Sequence, residues 1–405
     1  MSPFAYPIAL AATLVAGLCA TATAAEPPAG LAAAGERPVA TERRPATPAE
    51  ALGVPPLGRL PPAPSPRDNP TTAAKVELGR MLFWDGRLSD DGSSPCVACH
   101  EPRKGWGDAE AISGGHPGTR HWRNSQTILN SAYYDRLFWD GSVTSLEAQA
   151  PAAAEGAVAG NADPSLVEMR LRFVPEYVRR FREVFGTEWP RITQAWQAIA
   201  AFQRTIVTDP ARVPFDRYLA GDRRALSESA LRGWDIFERR ANCLECHYGP
   251  LASDGRFHAL AVPEPPAMST DPVAQITHRW QQVQRGVTES AYRNAGIDMG
   301  LHYQTKNPKD IGKFRTPSLR ELKHTAPYMH NGTLATLEEV VDFYDRGDGT
   351  GVNKSLRVRT LGLTVQERRD LVAFLEALSM DELPPSEPPV LPPYAPLDGS
   401  RRDRR

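Results

Sequence analysis

The sequence has little cysteine, almost no net charge and, beyond its first residues, no long apolar run. Five of its 405 residues are cysteine, and the formal net charge is −1. A chain so close to neutral has no overall charge with which to attract nucleic acid or an anionic membrane surface. After residue 25, no segment approaches the ~20 apolar residues that a membrane-spanning helix requires. We therefore expect a globular protein with no nucleic-acid partner and no membrane span in its mature chain.

The first 25 residues have the pattern of a secretory signal peptide. An apolar run from Ile8 to Cys19 precedes a stretch of small residues that includes the A-x-A sequence Ala22-Thr23-Ala24. Basic residues are missing before the run, so an uncleaved anchor is the alternative. Cys19 follows Leu18 rather than the small residue of a lipoprotein signal, which favours cleavage over lipidation. We expect residues 1–25 to be removed on export.

The other four cysteines form two copies of C-x-x-C-H, at Cys96–His100 and Cys243–His247. This pattern is the attachment site of a c-type haem, in which two cysteines form thioethers and the histidine binds the iron. A zinc site would need ligands from both motifs, and a disulfide across two residues would be strained. The motifs predict two haems attached at Cys96, Cys99, Cys243 and Cys246, with His100 and His247 as iron ligands. Bacteria attach such haems outside the cytoplasm, so the signal and the motifs both predict the periplasm.

Composition and repetition suggest five segments. Residues 26–70 are rich in proline and alanine and predict a linker, and residues 381–405 predict a disordered tail. Between them a helical pattern at 72–83 recurs at 227–237, and Gly79–Phe83 matches Gly233–Phe237. Each copy leads into a C-x-x-C-H. The fold class is therefore mostly α, with two cytochrome c-like domains in tandem (71–215 and 216–380) that meet at a seam.

Further helices are expected at 165–174, 175–185 and 193–207, where apolar residues have helical spacing. Thr364 and Glu367 have the spacing of a capping box, which predicts the start of a last helix. No convincing strand pair is evident.

Several motifs resemble those of the bacterial dihaem cytochrome c peroxidases and their MauG-type relatives. The likeness covers roughly Thr71 to Ser379. It is carried by the sequences Leu78-Gly79-Arg80, Arg123-Asn124-Ser125, Phe138-Trp139-Asp140-Gly141, Phe314–Arg320 and Thr325–Gly332. The resemblance implies that peroxide reacts at the first haem and that the second haem passes electrons to it.

The same resemblance implies a role for Trp139 between the haems. An indole there would bridge the two macrocycles by contact and hydrogen bonding. A buried core tryptophan is the alternative. Trp84-Asp85-Gly86, just before the first haem motif, is a second W-D-G sequence that could be mistaken for the first.

Two further iron ligands follow from the resemblance. His116 falls where the peroxidases place a distal histidine on the first haem, a position that MauG-type members leave open; an exposed loop histidine is the alternative. Tyr344 occupies the distal position of the second haem, which is methionine in the peroxidases and tyrosine in MauG. Met329 is a competing ligand, although its position serves packing in the family pattern.

One departure from the family pattern concerns proton transfer. Family members place a glutamate ten residues after the glutamine of a Q-A sequence, where it moves a proton between the peroxide oxygens. Here Gln149-Ala150 is present, but Ala159 stands at the glutamate position. Glu155 is the nearest carboxylate and is the candidate substitute if the segment is helical. A solvated surface glutamate is the alternative.

The resemblance also implies a calcium ion at the seam. Its ligands would be the side chain of Asn124 and the backbone carbonyls of Thr325 and Pro327, and oxygen-only ligation suits calcium.

Three functions remain open. The first is a periplasmic peroxidase that reduces hydrogen peroxide with electrons from a small c-type cytochrome or a cupredoxin. The second is a MauG-like oxidase that draws electrons from a partner protein, which Tyr344 favours. The third is a dihaem electron carrier without peroxidase activity, which Ala159 favours. His116 and the frequency of peroxidases in the family favour the first, which is the function we expect.

Overall fold

The computed structural model describes residues 46–294 and 296–395, so the expected signal peptide and Cys19 lie outside the described residues. The described chain is mostly α-helical, and none of its helices is long and apolar enough to cross a membrane. The helices are α1 (Pro48–Leu52), α2 (Ala73–Trp84), α3 (Leu146–Ala154), α4 (Pro164–Arg172), α5 (Pro175–Phe185), α6 (Ile192–Gln203), α7 (Pro214–Leu219), α8 (Glu228–Asp235), α9 (Ala267–Thr270), α10 (Pro272–Gln284), α11 (Glu289–Asn294), α12 (His302–Thr305), α13 (Leu337–Arg346) and α14 (Val365–Glu376).

The first hydrophobic core forms where α2 crosses α6, with α4 and α5 packed beside them. Helix α2 begins after Thr72, whose side-chain oxygen accepts a hydrogen bond from the backbone N–H of Lys75. Gly79 lies at the crossing. A Cβ added there would lie 1.9 Å from the carbonyl oxygen of Ala198, so only glycine allows this approach.

The second hydrophobic core forms where α8 crosses α14. Thr364 and Glu367 form the predicted capping box at the start of α14. Gly233 lies at this crossing, and a Cβ added there would lie 1.9 Å from the carbonyl oxygen of Asp370. The α8 helix then continues as a π-helical turn at Ile236–Arg240 before the second haem motif.

The two crossings repeat one arrangement. Beside each glycine, an added Cβ would meet the β-carbon of a phenylalanine, Phe202 or Phe374, at 2.9 Å. The rings of Phe83 and Phe202 lie 5.4 Å apart, and those of Phe237 and Phe374 lie 5.2 Å apart. The sequence duplication therefore extends to the packing of its helices. The domain boundary between residues 215 and 216 stays a prediction.

The helices expected at 165–174, 175–185 and 193–207 are present as α4, α5 and α6. Helix α6 ends at Gln203, four residues before the predicted end. Beyond it, the Ile206 carbonyl accepts a hydrogen bond from the Asn130 backbone N–H at 2.9 Å. The Asn130 side chain bonds the Thr208 hydroxyl at 2.8 Å. These bonds to Asn130 replace the helical pattern.

A two-stranded antiparallel sheet was not expected from the sequence. Strand β1 (Phe257–Ala259) pairs with β2 (Lys313–Arg315). Three residues are too few to show the alternation by which a strand is recognised. At the end of β2, the backbone N–H of Arg315 donates a hydrogen bond to the Trp139 carbonyl at 2.9 Å.

The described parts of the expected linker and tail contact the two cores, through Leu57 in the linker and Leu383 and Leu391 in the tail. In the linker, Leu57 and Leu60 are buried. In the tail, the carbonyl of Glu387 accepts a hydrogen bond from Arg80 at 3.0 Å, and that of Pro392 accepts one from Arg87 at 2.8 Å. Proline-rich backbone has free carbonyls, and these arginines bind them.

Candidate haem-binding site

Each C-x-x-C-H motif starts with a 3-10 turn, at Cys96–Ala98 and Cys243–Glu245. The backbone N–H of His100 donates to the carbonyl of Cys96 at 3.1 Å, and that of His247 donates to the carbonyl of Cys243 at 2.9 Å. The two cysteines and the histidine of each motif therefore project from one tight turn, as attachment to a single macrocycle requires.

Both motif histidines are oriented in the same way. His100 Nδ1 lies 3.1 Å from the Trp106 carbonyl, and His247 Nδ1 lies 2.9 Å from the Ala252 carbonyl. A carbonyl can only accept, so each Nδ1 carries the proton and each Nε2 keeps a lone pair. Burial lowers the pKa of both histidines. A neutral imidazole with a fixed Nδ1–H is the state in which histidine binds a metal.

The four motif cysteines are unpaired and partly buried. Burial raises the pKa of Cys96 and Cys243 to about 12 and that of Cys99 to about 11, so these thiols are not activated redox or nucleophilic groups. Among the described residues, the one three-ligand cluster is Cys246, Asp254 and His258. It contains no ligand from the first motif, so the zinc alternative has no four-ligand site in this part of the chain.

A cavity of about 610 Å³ lies beside the second motif and reaches the seam. Its walls include Cys243, Cys246 and His247 of the motif, together with Trp139 and Asn124. Most of the remaining wall is apolar, which suits a large planar group with few polar atoms. The volume, the fixed histidine and the adjacent thiols together fit a haem.

Tyr344 lies on α13 and lines this cavity, as sequence analysis expected of a ligand to the second haem. Burial raises its pKa, and the nearby Cys246 and Cys243 raise it further. The phenol is therefore neutral unless a cation displaces its proton. Met329 lines the same cavity, so both candidate ligands of the second haem lie at this site.

Trp139 and Trp84, the two W-D-G tryptophans, have different surroundings. The Trp139 indole N–H donates to the Asn124 carbonyl at 3.0 Å, and its ring meets His330 edge-on at 6.4 Å. Trp84 packs inside the first core against Phe83, at 5.3 Å between ring centroids. Trp139 thus lies at the seam and in the cavity wall, whereas Trp84 is a core residue.

The three residues expected to bind calcium also line this cavity. The Asn124 side-chain amide donates to the Glu110 carbonyl at 2.8 Å, and no described residue donates to its Oδ1. The backbone N–H of Asn124 bonds to the His330 carbonyl at 2.9 Å across the seam. Asn124 therefore has a side-chain oxygen without a protein donor among the described residues, in a cavity that Thr325 and Pro327 also line.

His116 lies in a loop beside the first motif, where the Gly114 carbonyl is 4.0 Å from Cys99 Sγ. Its Nε2 is buried and has no hydrogen-bond partner among the described residues. The carboxylates of Asp90 and Asp91 lie 3.8 and 3.9 Å away, beyond hydrogen-bond distance. An unpartnered imidazole nitrogen at this place fits a ligand or a proton donor, and the ligand assignment stays a prediction.

Glu155 does not share a helix with Ala159. Helix α3 ends at Ala154, and Glu155 caps its C-terminus before a turn. The Glu155 side chain is exposed, and what burial it has raises its pKa. Gln149 lies within α3, and its Oε1 accepts from Gln203 at 3.1 Å. Glu155 was expected to substitute for the missing glutamate only if the segment to Ala159 is helical. The helix ends at Ala154, so this condition is not met.

A group of four charges, three of them buried, joins residues 123–140 to residues 285–298, and sequence analysis missed it. Arg123 bonds Asp298 at 2.5 Å and Asp140 at 3.0 Å, and Arg285 also bonds Asp140. Removing one partner from such a pair typically costs about 3–5 kcal/mol. Arg123 and Asp140 belong to recognised motifs, but no local pattern marks Arg285 or Asp298 as their partners.

His330 is a second missed residue. Its ring stacks on Phe314 at 3.6 Å, and its Nε2 is buried without a partner among the described residues. Burial lowers its pKa to about 4, so it is neutral. His330 also lines the cavity, so a buried imidazole nitrogen without a protein partner belongs to the cavity wall.

Two helical cores, each leading into a C-x-x-C-H with an identically oriented histidine, define a dihaem c-type protein. A family model described as di-haem cytochrome c peroxidase matches residues 73–224. The chain belongs to the dihaem cytochrome c peroxidase and MauG family. It is an oxidoreductase of the cytochrome c peroxidase type, and the family implies haem c as its cofactor.

The relatives include both branches of the family. The chain is 65% identical to cytochrome-c peroxidase IdrP1 of Denitromonas iodatirespirans over 344 residues, which is 85% of this chain and 92% of the relative. It is 35% identical to methylamine utilization protein MauG of Methylorubrum extorquens over 319 residues, 78% and 82% of the two chains. The crystal structure of a MauG-like protein associated with microbial copper homeostasis aligns with a TM-score of 0.67 at 31% identity, covering 80% of this chain and 94% of that one.

Proposed function

We propose that this chain is a periplasmic dihaem peroxidase that reduces hydrogen peroxide to water with electrons from a small redox protein. The observation that carries the proposal is the position of Trp139, which bonds Asn124 in one wall of the second motif's cavity and Arg315 beyond the seam. In this proposal, Trp139 is the side chain that the two haem sites share. The naming of the IdrP1 relatives as cytochrome-c peroxidases supports the same reaction.

Two haem sites suit the electron count of this reaction. One hydrogen peroxide takes two electrons and two protons to give two waters, whereas a small redox protein supplies one electron at a time. Haem bound at the two motifs supplies the iron chemistry and the storage of one electron. The chain itself holds the macrocycles through Cys96, Cys99, Cys243 and Cys246, and orients His100 and His247. The calcium at Asn124, Thr325 and Pro327 is part of the proposal and would tie the two sides of the seam together.

Proton transfer is the step for which the chain departs from its family. Glu155 is exposed and lies outside α3, while Ala159 lies in the following turn. A positioned acid–base group is worth about 10²–10⁴-fold in rate. The Glu155 carboxylate interacts with the side chain of Trp196 in the first core. If Glu155 does not supply the proton, His116 is the other candidate, because its buried Nε2 has no hydrogen-bond partner among the described residues.

We expect Glu155→Gln to lower the rate of peroxide consumption by about 10²-fold if Glu155 moves the proton, because the amide cannot exchange one. Ala159→Glu should raise the rate because it restores a carboxylate at the family position. Both are measured by stopped-flow mixing of the half-reduced protein with peroxide. Glu147→Gln is unsuitable as a control because Glu147 is paired with Arg204. Exposed Glu188→Gln serves instead, because no arginine or lysine of the described residues pairs with Glu188.

The outcome of this pair decides between enzyme and carrier. An inert wild type in which Ala159→Glu alone reacts would show an electron carrier built on a peroxidase scaffold. If Glu155→Gln consumes peroxide as fast as the wild type, another residue moves the proton. His116→Gln is then the next variant to test.

Tyr344 supports a second candidate function, a MauG-like oxidase that draws electrons from a partner protein. A tyrosine rather than a methionine lines the second cavity, and the MauG relative is 35% identical. This function uses the same two haem sites and Trp139, but its electrons come from the side chains of a partner protein.

We expect Tyr344→Met to raise the reduction potential of the second haem. An anionic phenolate stabilises ferric iron, whereas a thioether favours the ferrous state. Spectroscopic redox titration of the wild type and the variant measures the change. Tyr328→Phe is the control, because Tyr328 lines the same cavity while its hydroxyl donates to the Leu322 carbonyl at 2.8 Å. A wild-type spectrum with a methionine ligand would assign the position to Met329 and remove the argument for the oxidase.

A further inference from the structure

The surface loop beside the second motif differs in charge from the chain as a whole. The segment from Arg346 to Arg359, both included, has four basic residues and one acidic residue, in a protein of net charge −1. The same loop exposes two aliphatic side chains, Leu356 at 94% and Val352 at 55%. A single exposed aliphatic residue needs no explanation. Two of them among basic side chains form an apolar tip with a positive rim.

This loop forms one edge of the haem cavity. Val352, Arg357 and Arg359 are among the residues that line it. The Arg357 guanidinium donates to the Glu245 carbonyl at 2.8 Å and lies 3.9 Å from Cys246 Sγ. The loop therefore covers the side of the second motif on which Cys246 would attach the macrocycle, and this side reaches the surface.

The loop is held in place by its own hydrogen bonds. The backbone N–H of Ser355 donates to the Ala259 carbonyl at 2.8 Å, which ties the loop to strand β1. The Asn353 side chain donates to the carbonyl of Pro308 at 2.8 Å. A surface held in this way can present the same side chains to each incoming molecule, which lowers the entropy cost of binding.

The positive charge of the rim is only partly neutralised. The Glu245 carboxylate lies 3.4 Å from Arg357 and 3.8 Å from Arg359, so one carboxylate serves two arginines. Lys354 Nζ bonds the Gly347 carbonyl at 2.6 Å, and no carboxylate of the described residues is within ion-pair distance of it. The rim therefore keeps an excess of positive charge.

We propose that Val352 and Leu356, with Lys354, Arg357 and Arg359 around them, are the docking surface for the electron donor. The donor is a small one-electron protein with an acidic rim around the apolar edge of its redox centre. The basic rim steers it, and the apolar tip excludes water so that the two redox centres approach closely. Each donor is oxidised by one electron at this surface. This inference rests on the proposed entry of electrons at the second motif.

A rival surface exists on α10, where Ile276 is 68% exposed and Val283 is 58% exposed. These residues lie on one face of the helix, but none of them lines the haem cavity. A substitution at Ile276 therefore tests whether any exposed apolar residue, wherever it lies, contributes to binding of the electron donor. Val390, 93% exposed in the C-terminal segment, offers a third position.

The experiment measures electron entry without peroxide. The oxidised mature protein with both haems is mixed in a stopped-flow instrument with a reduced acidic cupredoxin, and haem reduction is followed by absorbance. We expect Leu356→Asp and Arg359→Glu each to lower the second-order rate constant about tenfold, within the range that electrostatic steering spans. Ile276→Asp, Val390→Asp and Arg172→Glu should leave it unchanged; Arg172 is a paired arginine of similar exposure in α4.

Two further measurements sharpen the result. The wild-type rate should fall as ionic strength rises, because the Debye length shortens from about 30 Å at 0.01 M to about 8 Å at 0.15 M. A basic c-type cytochrome should lose little rate, or gain some, in Arg359→Glu. An unchanged cupredoxin rate in Leu356→Asp, or an equal fall in Ile276→Asp, would overturn the docking surface. So would a wild-type dimer that Leu356→Asp converts to a monomer.

Failure of the proposed function is recognised separately. Peroxide turnover driven by a small uncharged mediator kept reduced by ascorbate does not need a docking surface. A protein that accepts electrons from the cupredoxin but never consumes peroxide with the mediator would retain the docking surface and lose the peroxidase function. Normal mediator turnover in Leu356→Asp with slow cupredoxin reduction is the result expected if both proposals hold.

Discussion

Replacing Cys243 and Cys246 by serine should leave one haem per chain and destabilise the protein strongly. Serine cannot form the thioethers, so the cavity of about 610 Å³ loses the covalent hold on its contents. At ~24 cal/mol per Å³, a wholly dry apolar cavity of this size would cost about 15 kcal/mol. That figure is as large as the whole stability of a typical domain. Because the mouth admits water, we expect a smaller loss that is still several kcal/mol.

Intact mass and haem absorbance measure the first part of this prediction, and thermal unfolding measures the second. The wild type should carry two haem additions and begin near residue 25 or 26, the mature start that a cleaved signal predicts. Cys96→Ser with Cys99→Ser is the matched variant and should also retain one haem, that of the second motif. Two haems in either double variant, or none in a correctly matured wild type, would contradict the assignment of both motifs.

The haem motifs and the duplication could be predicted because their signals are local. A C-x-x-C-H carries its anchors and its iron ligand within five residues, and the recurrence of Gly79–Phe83 as Gly233–Phe237 is visible along the chain. Helices with capping residues, such as the one opened by Thr364, are local in the same sense. The orientation of His100 and His247 by backbone carbonyls could not be predicted from a local signal. The two carbonyls belong to Trp106 and Ala252, which lie in loops of different sequence.

The parts that could not be predicted depend on distant partners. The pairing of Arg123 with Asp298 joins residues 175 positions apart, and no spacing rule connects them. Glu155 was proposed on the condition that α3 continue to Ala159, yet the helix ends at Ala154. The tail contacts arginines more than 300 positions away, such as Arg80 with Glu387. Tertiary contacts decide all three.

The glycines at the two helix crossings are the positions where the smallest change should have a large effect. Replacing a helical glycine by alanine normally stabilises a protein, by roughly 0.5–1 kcal/mol. At Gly233 the added Cβ would lie 1.9 Å from the Asp370 carbonyl oxygen and 2.9 Å from the Phe374 Cβ. Both are fixed parts of α14, so the helices must separate. Such overpacking costs about 1–3 kcal/mol and occasionally more.

We therefore expect Gly233→Ala to lower the free energy of unfolding by about 3 kcal/mol, opposite in sign to the helix-propensity effect. Gly79→Ala should match it, since the Cβ would meet the Ala198 carbonyl at the same distance. Gly58→Ala is the control, because its added Cβ meets only the Pro56 carbonyl, at 3.9 Å. Thermal and denaturant unfolding of the haem-loaded proteins measure all three. Stabilisation by either helical substitution would mean that the helices do not cross at these glycines, and the placement of each haem motif after its crossing would then be wrong.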